Sequence, residues 1–195
     1  RSTLTASPSP GSTVLVTRRQ VLAGTAALVG GGLLLAVLTP DAADAPLVEG
    51  APGLNPEAWL QVRPDGAVIL QVDKIEMGQG VMTGYATLLA EELDLPPARI
   101  TTQIAPVHPL FQDPAQITGG SRSTIDRWEP VRRTGARARA MLLAAAARRW
   151  DVDIASLATS GDGAVTGPGG RRLTYGELAT EAGALPVPSD PVLAS

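Results

Sequence analysis

Apolar and polar positions alternate in two stretches after residue 56, and this alternation predicts two strands. The stretches are A-W-L-Q-V-R at 58–63 and A-V-I-L-Q-V-D at 67–73. The P-D-G triplet between them, at 64–66, is a strong signal for a hairpin turn. We therefore expect a β-hairpin that delivers the chain to the phrase E-M-G-Q-G at 76–80.

Helical spacing replaces the alternation after this phrase. Apolar side chains recur every three or four residues through V-M-T-G-Y-A-T-L-L-A-E-E-L at 81–93, which predicts a helix. Pro96 and Pro97 prevent its continuation, and I-T-T-Q-I-A at 100–105 predicts a third strand. A helix between strands indicates an α+β fold, with a small mixed sheet and two main helices that form part of a larger domain.

The second main helix is predicted at 129–150, where six arginines alternate with Ala and Leu. A basic helix can bind nucleic acid or phosphate, but a solvated arginine face above an Ala-rich packing face is the more ordinary interpretation. The net charge of −3 favours the second interpretation, so we expect no nucleic-acid partner. Before this helix, residues 106–127 show little periodicity and are predicted to form a long loop. After it, a small hairpin and a short helix are predicted, with Thr174 and Glu177 as a capping box.

The first 45 residues have the organisation of an export signal. A Ser/Thr/Pro-rich start, predicted to be disordered, leads to the pair Arg18 and Arg19 and then to an uncharged apolar run at 21–39. A basic start, an apolar middle and a small-residue exit are typical of a signal peptide, and the paired arginines resemble a twin-arginine signal. The run is also about long enough for a transmembrane anchor. We therefore expect a signal or anchor helix here.

Composition excludes several kinds of site. The chain has no Cys, which excludes disulfides, thiolate metal sites, Cys nucleophiles and iron–sulfur ligation within it. His108 is the single His, so a multi-His zinc site is excluded as well. Its proline-flanked position favours a packed or solvated side chain over a catalytic base. Any site must therefore use other residue types.

Two glycine-containing loops are the candidates. E-M-G-Q-G precedes the first main helix, and I-T-G-G-S-R-S-T at 117–124 precedes the second. Glycine loops at helix N-termini present backbone N–H groups to anions, and Ser/Thr hydroxyls add donors, so the pair is suited to a phosphate-bearing cofactor. In a second interpretation both loops are ordinary turns of an exported, non-catalytic binding module. A nucleotide site ranks third, because the chain has neither a P-loop nor a complete dinucleotide fingerprint.

The order of these features resembles the molybdenum hydroxylases of the xanthine dehydrogenase/aldehyde oxidase family. The resemblance rests on E-M-G-Q-G, a helix ending A-E-E-L, a strand, T-G-G-S-R-S-T and the helix R-R-x-G-A-x-A-R-x-x-L-x-x-A-A-A. The chain is most similar to the N-terminal part of a molybdopterin-binding large (beta) subunit of the isoquinoline 1-oxidoreductase type. The similarity runs from residue 17 to about residue 191 and includes the twin-arginine leader.

The resemblance implies a role for each loop. Gln79 matches the family Gln whose amide hydrogen-bonds a ligand oxygen on molybdenum without ligating the metal, and Gly78 and Gly80 let the backbone approach the cofactor. The residues implied to line the pterin or its pyrophosphate are Gly119, Gly120, Ser121, Ser123 and Thr124. Arg122 is either a phosphate contact or a solvated side chain. No motif here matches the family's catalytic Glu, so we expect the chain to be inactive alone.

The resemblance also implies a complete enzyme. It would oxidise aldehydes or N-heteroaromatic compounds with water as the oxygen source, using molybdenum–molybdopterin cytosine dinucleotide. Iron–sulfur clusters would lie on a small partner subunit, with a cytochrome c as a candidate electron acceptor. The leader implies a periplasmic location, or membrane association through residues 21–39. We expect the leader at 1–45, a Pro/Gly-rich linker at 46–55 and a partial molybdopterin-binding domain at 56–195.

Overall fold

The computed structural model describes the backbone of residues 33–35, and residues 59–107, 111 and 116–194 in full. These residues form two small sheets and three α-helices. The strands of the larger sheet, in spatial order, are β1 (Leu33–Leu35), β2 (Leu60–Val62), β3 (Val68–Val72) and β4 (Ile100–Ile104). The first two pairings are antiparallel and β3 pairs with β4 in parallel, so the predicted mixed sheet is confirmed.

The β2–β3 hairpin and the helix after it form as the sequence predicts. The turn is closed by the Arg63 N–H, which donates to Ala67 O at 2.9 Å, and Gly66 adopts a φ of 86° that favours glycine. Helix α1 (Val81–Leu93) connects β3 to the parallel strand β4. The chain that leaves β3 therefore reaches the N-terminus of α1 at one edge of the sheet.

Helix α2 (Ser123–Trp150) begins earlier than predicted. The prediction of a loop is wrong for residues 123–127, which form the first turns of this helix. Contacts that are distant in sequence hold these turns. The Tyr85 hydroxyl donates to Ser123 O at 2.9 Å, and Arg127 forms a buried ion pair with Asp73 at 2.7 Å.

The two main helices pack directly against each other beside a largely aliphatic core. Leu89 and Leu93 of α1 and Leu142 of α2 are fully buried in this core. Gly135 marks a close approach, because a Cβ added there would lie only 2.7 Å from Glu92 Cβ. Glycine at this position allows α2 to approach the backbone of α1.

The C-terminal part forms a second, antiparallel sheet and a third helix. Its elements are β5 (Ala158–Thr159), β6 (Ala164–Gly167), β7 (Arg171–Thr174) and α3 (Tyr175–Gly183). The sheet has one more short strand than the predicted hairpin. The capping box is confirmed: the Thr174 hydroxyl accepts from the Glu177 N–H at 3.2 Å, and the Glu177 carboxylate accepts from the Thr174 N–H at 2.8 Å.

The arginines of α2 hold the C-terminal segment, residues 186–194, against the helix. Four of them donate to its carbonyl oxygens: Arg132 to Ala194, Arg133 to Ser189, Arg137 to Pro188 and Arg139 to Val192. Glu92 completes the contact, since its buried carboxylate accepts from Arg132 Nε at 2.7 Å and from the Ala194 N–H at 2.8 Å. The prediction of a solvated arginine face is wrong at these four positions, because backbone carbonyls are their partners.

Strand β1 lies inside the apolar run at 21–39. The prediction of a helix is wrong at Leu33–Leu35, because their backbone pairs with the edge of β2, with Leu34 opposite Gln61. The rest of the run, the arginine pair and the linker at 46–55 lie outside the described residues. Within the described ranges, no helix has the length and apolarity needed to cross a bilayer.

Candidate functional site

The two glycine loops lie side by side at one edge of the larger sheet. We call residues 75–80 the glutamine loop and residues 117–122 the serine loop. The Ile75 N–H donates to Thr118 Oγ1 at 2.7 Å, and Lys74 Nζ donates to Ile117 O at 3.2 Å. Hydrogen bonds between residues 43 positions apart thus hold the two loops together. A single ligand can contact both loops only because they lie side by side.

Both ends of the Gln79 amide are bonded within the glutamine loop. Oε1 accepts from the Met77 N–H at 2.6 Å, and Nε2 donates to Ile75 O at 2.8 Å. Gly78 and Gly80 curve the loop with φ values of 91° and 81°, which favour glycine. An amide nitrogen carries two protons, and the described residues use one of them. One N–H of the exposed Gln79 side chain is left for a ligand.

Glu76 is the residue of this loop that the sequence analysis missed. Its Oε1 accepts from the N–H groups of Gly78 and Gly80 at 2.8 and 2.9 Å, and its Oε2 accepts from the Met82 N–H at 3.1 Å. These hydrogen bonds, first that from Gly80 and then that from Met82, hold the pKa of the Glu76 carboxyl below its ordinary value of 4.5. The available signal was an acidic residue just before a helix N-terminus, where a carboxylate is favoured.

This carboxylate changes what the glutamine loop can bind. The expectation that the loop offers backbone N–H groups to an anion does not hold for Gly78, Gly80 and Met82, whose N–H groups already bond to Glu76. An ionised carboxylate at this position also repels a phosphate. Because its pKa is lowered, Glu76 is poorly suited to act as a general base near neutral pH. The Gln79 amide remains the donor of this loop.

The serine loop leads into the N-terminus of α2. Gly120 and Ser121 both adopt left-handed conformations, with φ values of 62° and 58°, and they are exposed together with Gly119. Ser123 and Thr124 lie in the first turn of α2 rather than in the loop. The first N–H groups of a helix have no intrahelical partner, so this turn presents donors at the loop.

Arg122, between these residues, pairs with Asp126 one turn into the helix. The guanidinium contacts the carboxylate at 2.5 Å, and the arginine side chain is 65% exposed. The contact is bidentate, and the Asp126 side chain is only 9% exposed. Arg122 therefore already has a carboxylate partner at the edge of the serine loop.

A buried ion-pair cluster lies beneath the two loops. Asp73 and Lys74 follow β3, Arg127 lies in the second turn of α2, and each is at most 2% exposed. Arg127 contacts Asp73 Oδ2 through two nitrogens, at 2.7 and 2.9 Å, and its guanidinium lies 5.2 Å from the centre of the Trp59 ring. The cluster ties the exit of β3 to the start of α2, and so it sets the distance between the loops.

Large apolar side chains surround the loops and remain exposed. Ile75 is 54% exposed, and Met77, Ile117 and Ile125 are each 69% exposed. Exposed apolar groups gathered at one edge indicate a contact surface. We call these four residues the apolar rim.

The described residues contain no cluster of side chains that could ligate a metal ion. In those ranges, no three or more His, Asp or Glu side chains come together as ligands for a metal ion. His108 lies outside the described residues. The implied position of Gln79 beside a metal, without ligating it, requires no such group.

Known proteins are similar to this chain in sequence. A family model described as a molybdopterin cofactor-binding domain matches residues 29–190, and the match begins inside the apolar run, as β1 does. The isoquinoline 1-oxidoreductase subunit beta of Brevundimonas diminuta is 34% identical over 179 residues, covering 88% of this chain and 22% of that protein. The membrane-bound aldehyde dehydrogenase [pyrroloquinoline-quinone] of Gluconacetobacter polyoxogenes is 26% identical over 157 residues, covering 77% of this chain and 20% of that protein.

Among solved structures, the reconstituted CO dehydrogenase from Oligotropha carboxidovorans is similar, with 26% identity and a TM-score of 0.47. The similarity covers 62% of this chain and 15% of that one. This chain thus spans about a fifth of the length of the curated relatives it matches. The family model nevertheless covers most of the chain, including both glycine loops. The chain therefore belongs to the molybdopterin cofactor-binding domain family.

Proposed function

We propose that this chain forms part of the cofactor site of a molybdenum hydroxylase that oxidises aldehydes or N-heteroaromatic compounds, with water as the oxygen source. The observation that carries the proposal is the placement of Gln79, whose amide is fixed by two hydrogen bonds and retains one N–H at an exposed edge. Family membership supplies the chemical class of the ligand. The family match favours this proposal over an exported binding module, in which the same two hydrogen bonds would only stabilise a turn.

The residues of both loops fit such a cofactor. A Cβ added at Gly78, Gly80 or Gly119 would meet no atom within 4 Å, so these glycines border open space in which a cofactor can approach the backbone. The amide N–H of Gln79 is an uncharged donor, which bonds to an acceptor without adding charge to the site. The donor set is therefore suited to a cofactor with neutral acceptors at one loop and phosphate at the other.

The bound cofactor supplies two-electron redox chemistry, and this chain supplies binding and orientation. Gln79 donates its remaining N–H to an acceptor atom of the cofactor. The hydroxyls of Ser121, Ser123 and Thr124, together with the positive end of the α2 dipole, bind the pterin phosphate or the pyrophosphate of a cytosine dinucleotide form. Arg122 adds a cation beside them.

The catalytic base and the substrate pocket lie in the part of the enzyme outside this chain. The chain spans 22% and 20% of its two curated relatives, which leaves most of such a protein to supply them. The rest of the enzyme packs against the apolar rim. Met77 and Ile117 are each 69% exposed, and large apolar side chains exposed to this extent beside a cofactor site indicate a surface that another part of the protein covers. The chain alone should therefore be inactive.

The proposal extends to partners and location. A small subunit with iron–sulfur clusters accepts the electrons, and a cytochrome c is a further acceptor. Export by the twin-arginine route through Arg18 and Arg19 places the enzyme in the periplasm. Cell fractionation after replacing both arginines by Lys tests this, since twin-arginine export predicts retention in the cytoplasm.

Cofactor analysis of the full-length subunit, together with the Gln79→Ala variant, tests the central claim. We expect bound molybdenum and pterin, and a fall in kcat of about 10²-fold in the variant, the usual effect of removing one preorganised donor. Gln103→Ala is the matched control, because Gln103 is an exposed glutamine of β4 whose side chain bonds only to Gln71 among the described residues. Its turnover should be unchanged.

Two results would refute the proposal. One is the absence of molybdenum and pterin after co-expression with the maturation machinery, and the other is wild-type turnover in Gln79→Ala. A bound quinone in place of pterin would instead favour the cofactor named for the Gluconacetobacter relative. The same preparation therefore distinguishes the two cofactors.

A further inference from the structure

The glutamine loop contains a carboxylate that the proposed function leaves unused. Glu76 accepts hydrogen bonds from three backbone N–H groups of the loop and of α1. We propose that Glu76 is a positioning residue for Gln79: its carboxylate is a built-in anion that closes the N-terminus of α1 and directs the Gln79 amide toward a neutral acceptor. This inference rests on the proposed function of Gln79.

The two carboxylate oxygens clamp the backbone on both sides of Gln79. Oε1 accepts from Gly78 at 2.8 Å and from Gly80 at 2.9 Å, which are the residues directly before and after the glutamine. Oε2 accepts from Met82, in the first turn of α1, at 3.1 Å. The N–H groups of the residues before and after Gln79 thus bond to one carboxylate oxygen, Oε1, and the other oxygen, Oε2, bonds to the helix.

The backbone of Ile75 and Met77, the residues on either side of Glu76, sets the orientation of the Gln79 amide. The Met77 N–H can only donate, so the atom 2.6 Å from it must be the oxygen Oε1. Nε2 then lies at the Ile75 carbonyl, at 2.8 Å. A flipped amide would place N–H against N–H and carbonyl against carbonyl. The loop conformation that Glu76 holds therefore fixes the position of the remaining Nε2 proton.

The carboxylate of Glu76 also determines whether the glutamine loop binds a charged or a neutral group. Free N–H groups and the positive end of a helix dipole ordinarily attract an anion, and here Glu76 occupies that position. A phosphate at this loop would meet a carboxylate, whereas a neutral acceptor meets only the amide of Gln79. The phosphate of the cofactor is thereby directed to the serine loop, and the acceptor of the Gln79 bond to the glutamine loop.

Glu76→Gln in the full-length, cofactor-loaded enzyme tests the inference. The neutral side chain keeps one acceptor oxygen but presents an NH₂ group to the Met82 N–H, so the clamp opens on the helix side. Glu91→Gln is the matched control, because Glu91 is an exposed glutamate of the same helix, away from the loop. We expect hydrogen exchange at residues 78–82 to become about tenfold faster in Glu76→Gln, the factor expected for one lost hydrogen bond.

Turnover separates positioning from a merely structural role. A positioning role predicts a fall in kcat of about tenfold or more with molybdenum content unchanged, while Tm falls in either case because the carboxylate also caps α1. It also predicts that Glu76→Gln/Gln79→Ala is no slower than Gln79→Ala alone, since residues that act as one unit are not additive. A helix cap without this role would lower Tm but leave kcat of the folded, cofactor-loaded enzyme at its wild-type value.

The inference is overturned if Glu76→Gln keeps wild-type exchange and kcat, or if the two substitutions multiply. The proposed function fails differently, through absence of molybdenum or wild-type turnover in Gln79→Ala. Should Glu76→Gln not fold, Glu76→Asp keeps the charge and withdraws the carboxylate by one methylene. Faster exchange with lowered kcat in that variant supports the inference, and wild-type kcat overturns it.

Discussion

Replacing Gly135 by Ala inserts one methyl group where α2 approaches α1. The added Cβ would lie 2.7 Å from Glu92 Cβ, 3.2 Å from Leu89 Cδ1 and 3.3 Å from Leu89 O. Glu92 cannot yield, because its carboxylate is fully buried and is bonded to Arg132 at 2.7 Å and to the Ala194 N–H at 2.8 Å. The two helices must therefore move apart to admit the methyl group.

The expected cost follows from two opposing effects. Overpacking a fitted contact costs about 1–3 kcal/mol, and Ala in place of Gly in a helix interior returns about 1 kcal/mol. Since the contact with Glu92 Cβ is far inside van der Waals distance, we expect the free energy of unfolding of Gly135→Ala to fall by about 2 kcal/mol. For a chain of this length, that loss corresponds to a Tm lower by about 4–8 °C.

Gly84→Ala is the matched control for helix propensity. Gly84 lies in α1, and a Cβ there would meet no atom within 4 Å. The same substitution should therefore stabilise the protein by up to about 1 kcal/mol. Urea unfolding followed by circular dichroism measures both variants, which should change stability in opposite directions. A Gly135→Ala variant as stable as wild type would show that the helices have room at this point, and the argument from close approach would be refuted.

Three further outcomes follow from contacts described above. Glu92→Ala leaves Arg132 without its buried carboxylate and should lower the free energy of unfolding by about 3 kcal/mol in urea; a loss close to zero would contradict this. Gly176→Ala should lower Tm at least as much as Gly135→Ala, because its Cβ would lie 2.6 Å from Pro64 O, a backbone atom in a tight turn; an unchanged melting curve would contradict this. The folded-state pKa of Glu76 lies below its ordinary value of 4.5, so its contribution to the glutamine loop is present above that pH and is lost as pH falls through the lowered pKa. Protection of the Gly80 N–H against hydrogen exchange, corrected for intrinsic rates, should therefore fall in acid and not near neutral pH, and protection that persists in strong acid would contradict this.

The elements that could be predicted depend on neighbours in sequence. The P-D-G turn contains its own turn residues, and the capping box of Thr174 and Glu177 spans three positions. The periodicity of α1 is visible within Val81–Leu93, and a helix flanked by strands indicated the mixed sheet. Each of these signals lies within a short stretch of consecutive residues, so it can be recognised from the sequence alone.

The elements that could not be predicted depend on distant partners. The first turns of α2 have no apolar period, and they are held by Tyr85 and Asp73, which are 38 and 54 positions from their partners in α2. The three leucines of β1 pair with an edge that only the folded sheet creates. Apolarity alone made the same residues resemble part of a membrane or signal helix.

The sequence predicted which loops form the candidate site, but it did not predict the position of the Glu76 carboxylate within it. Both glycine loops were identified from the sequence and Gln79 from the family resemblance, and the structure brings the two loops together. The sequence could not show that Glu76 accepts hydrogen bonds from the N–H groups of Gly78 and Gly80, because the partners of a carboxylate depend on the backbone conformation around it. Two positive φ values turn those N–H groups toward the same oxygen.

The C-terminal segment is recognised through its main chain. The α2 arginines bind carbonyl oxygens, which every residue possesses, so the bonds specify the path of residues 186–194 and leave most of their side chains unconstrained. The exceptions are Pro191, which is buried, and Asp190, whose carboxylate lies 3.4 Å from Arg133. Over evolutionary time, the two sides of this contact should therefore change at unequal rates. Related sequences should keep the arginines in place while the segment they hold drifts in sequence.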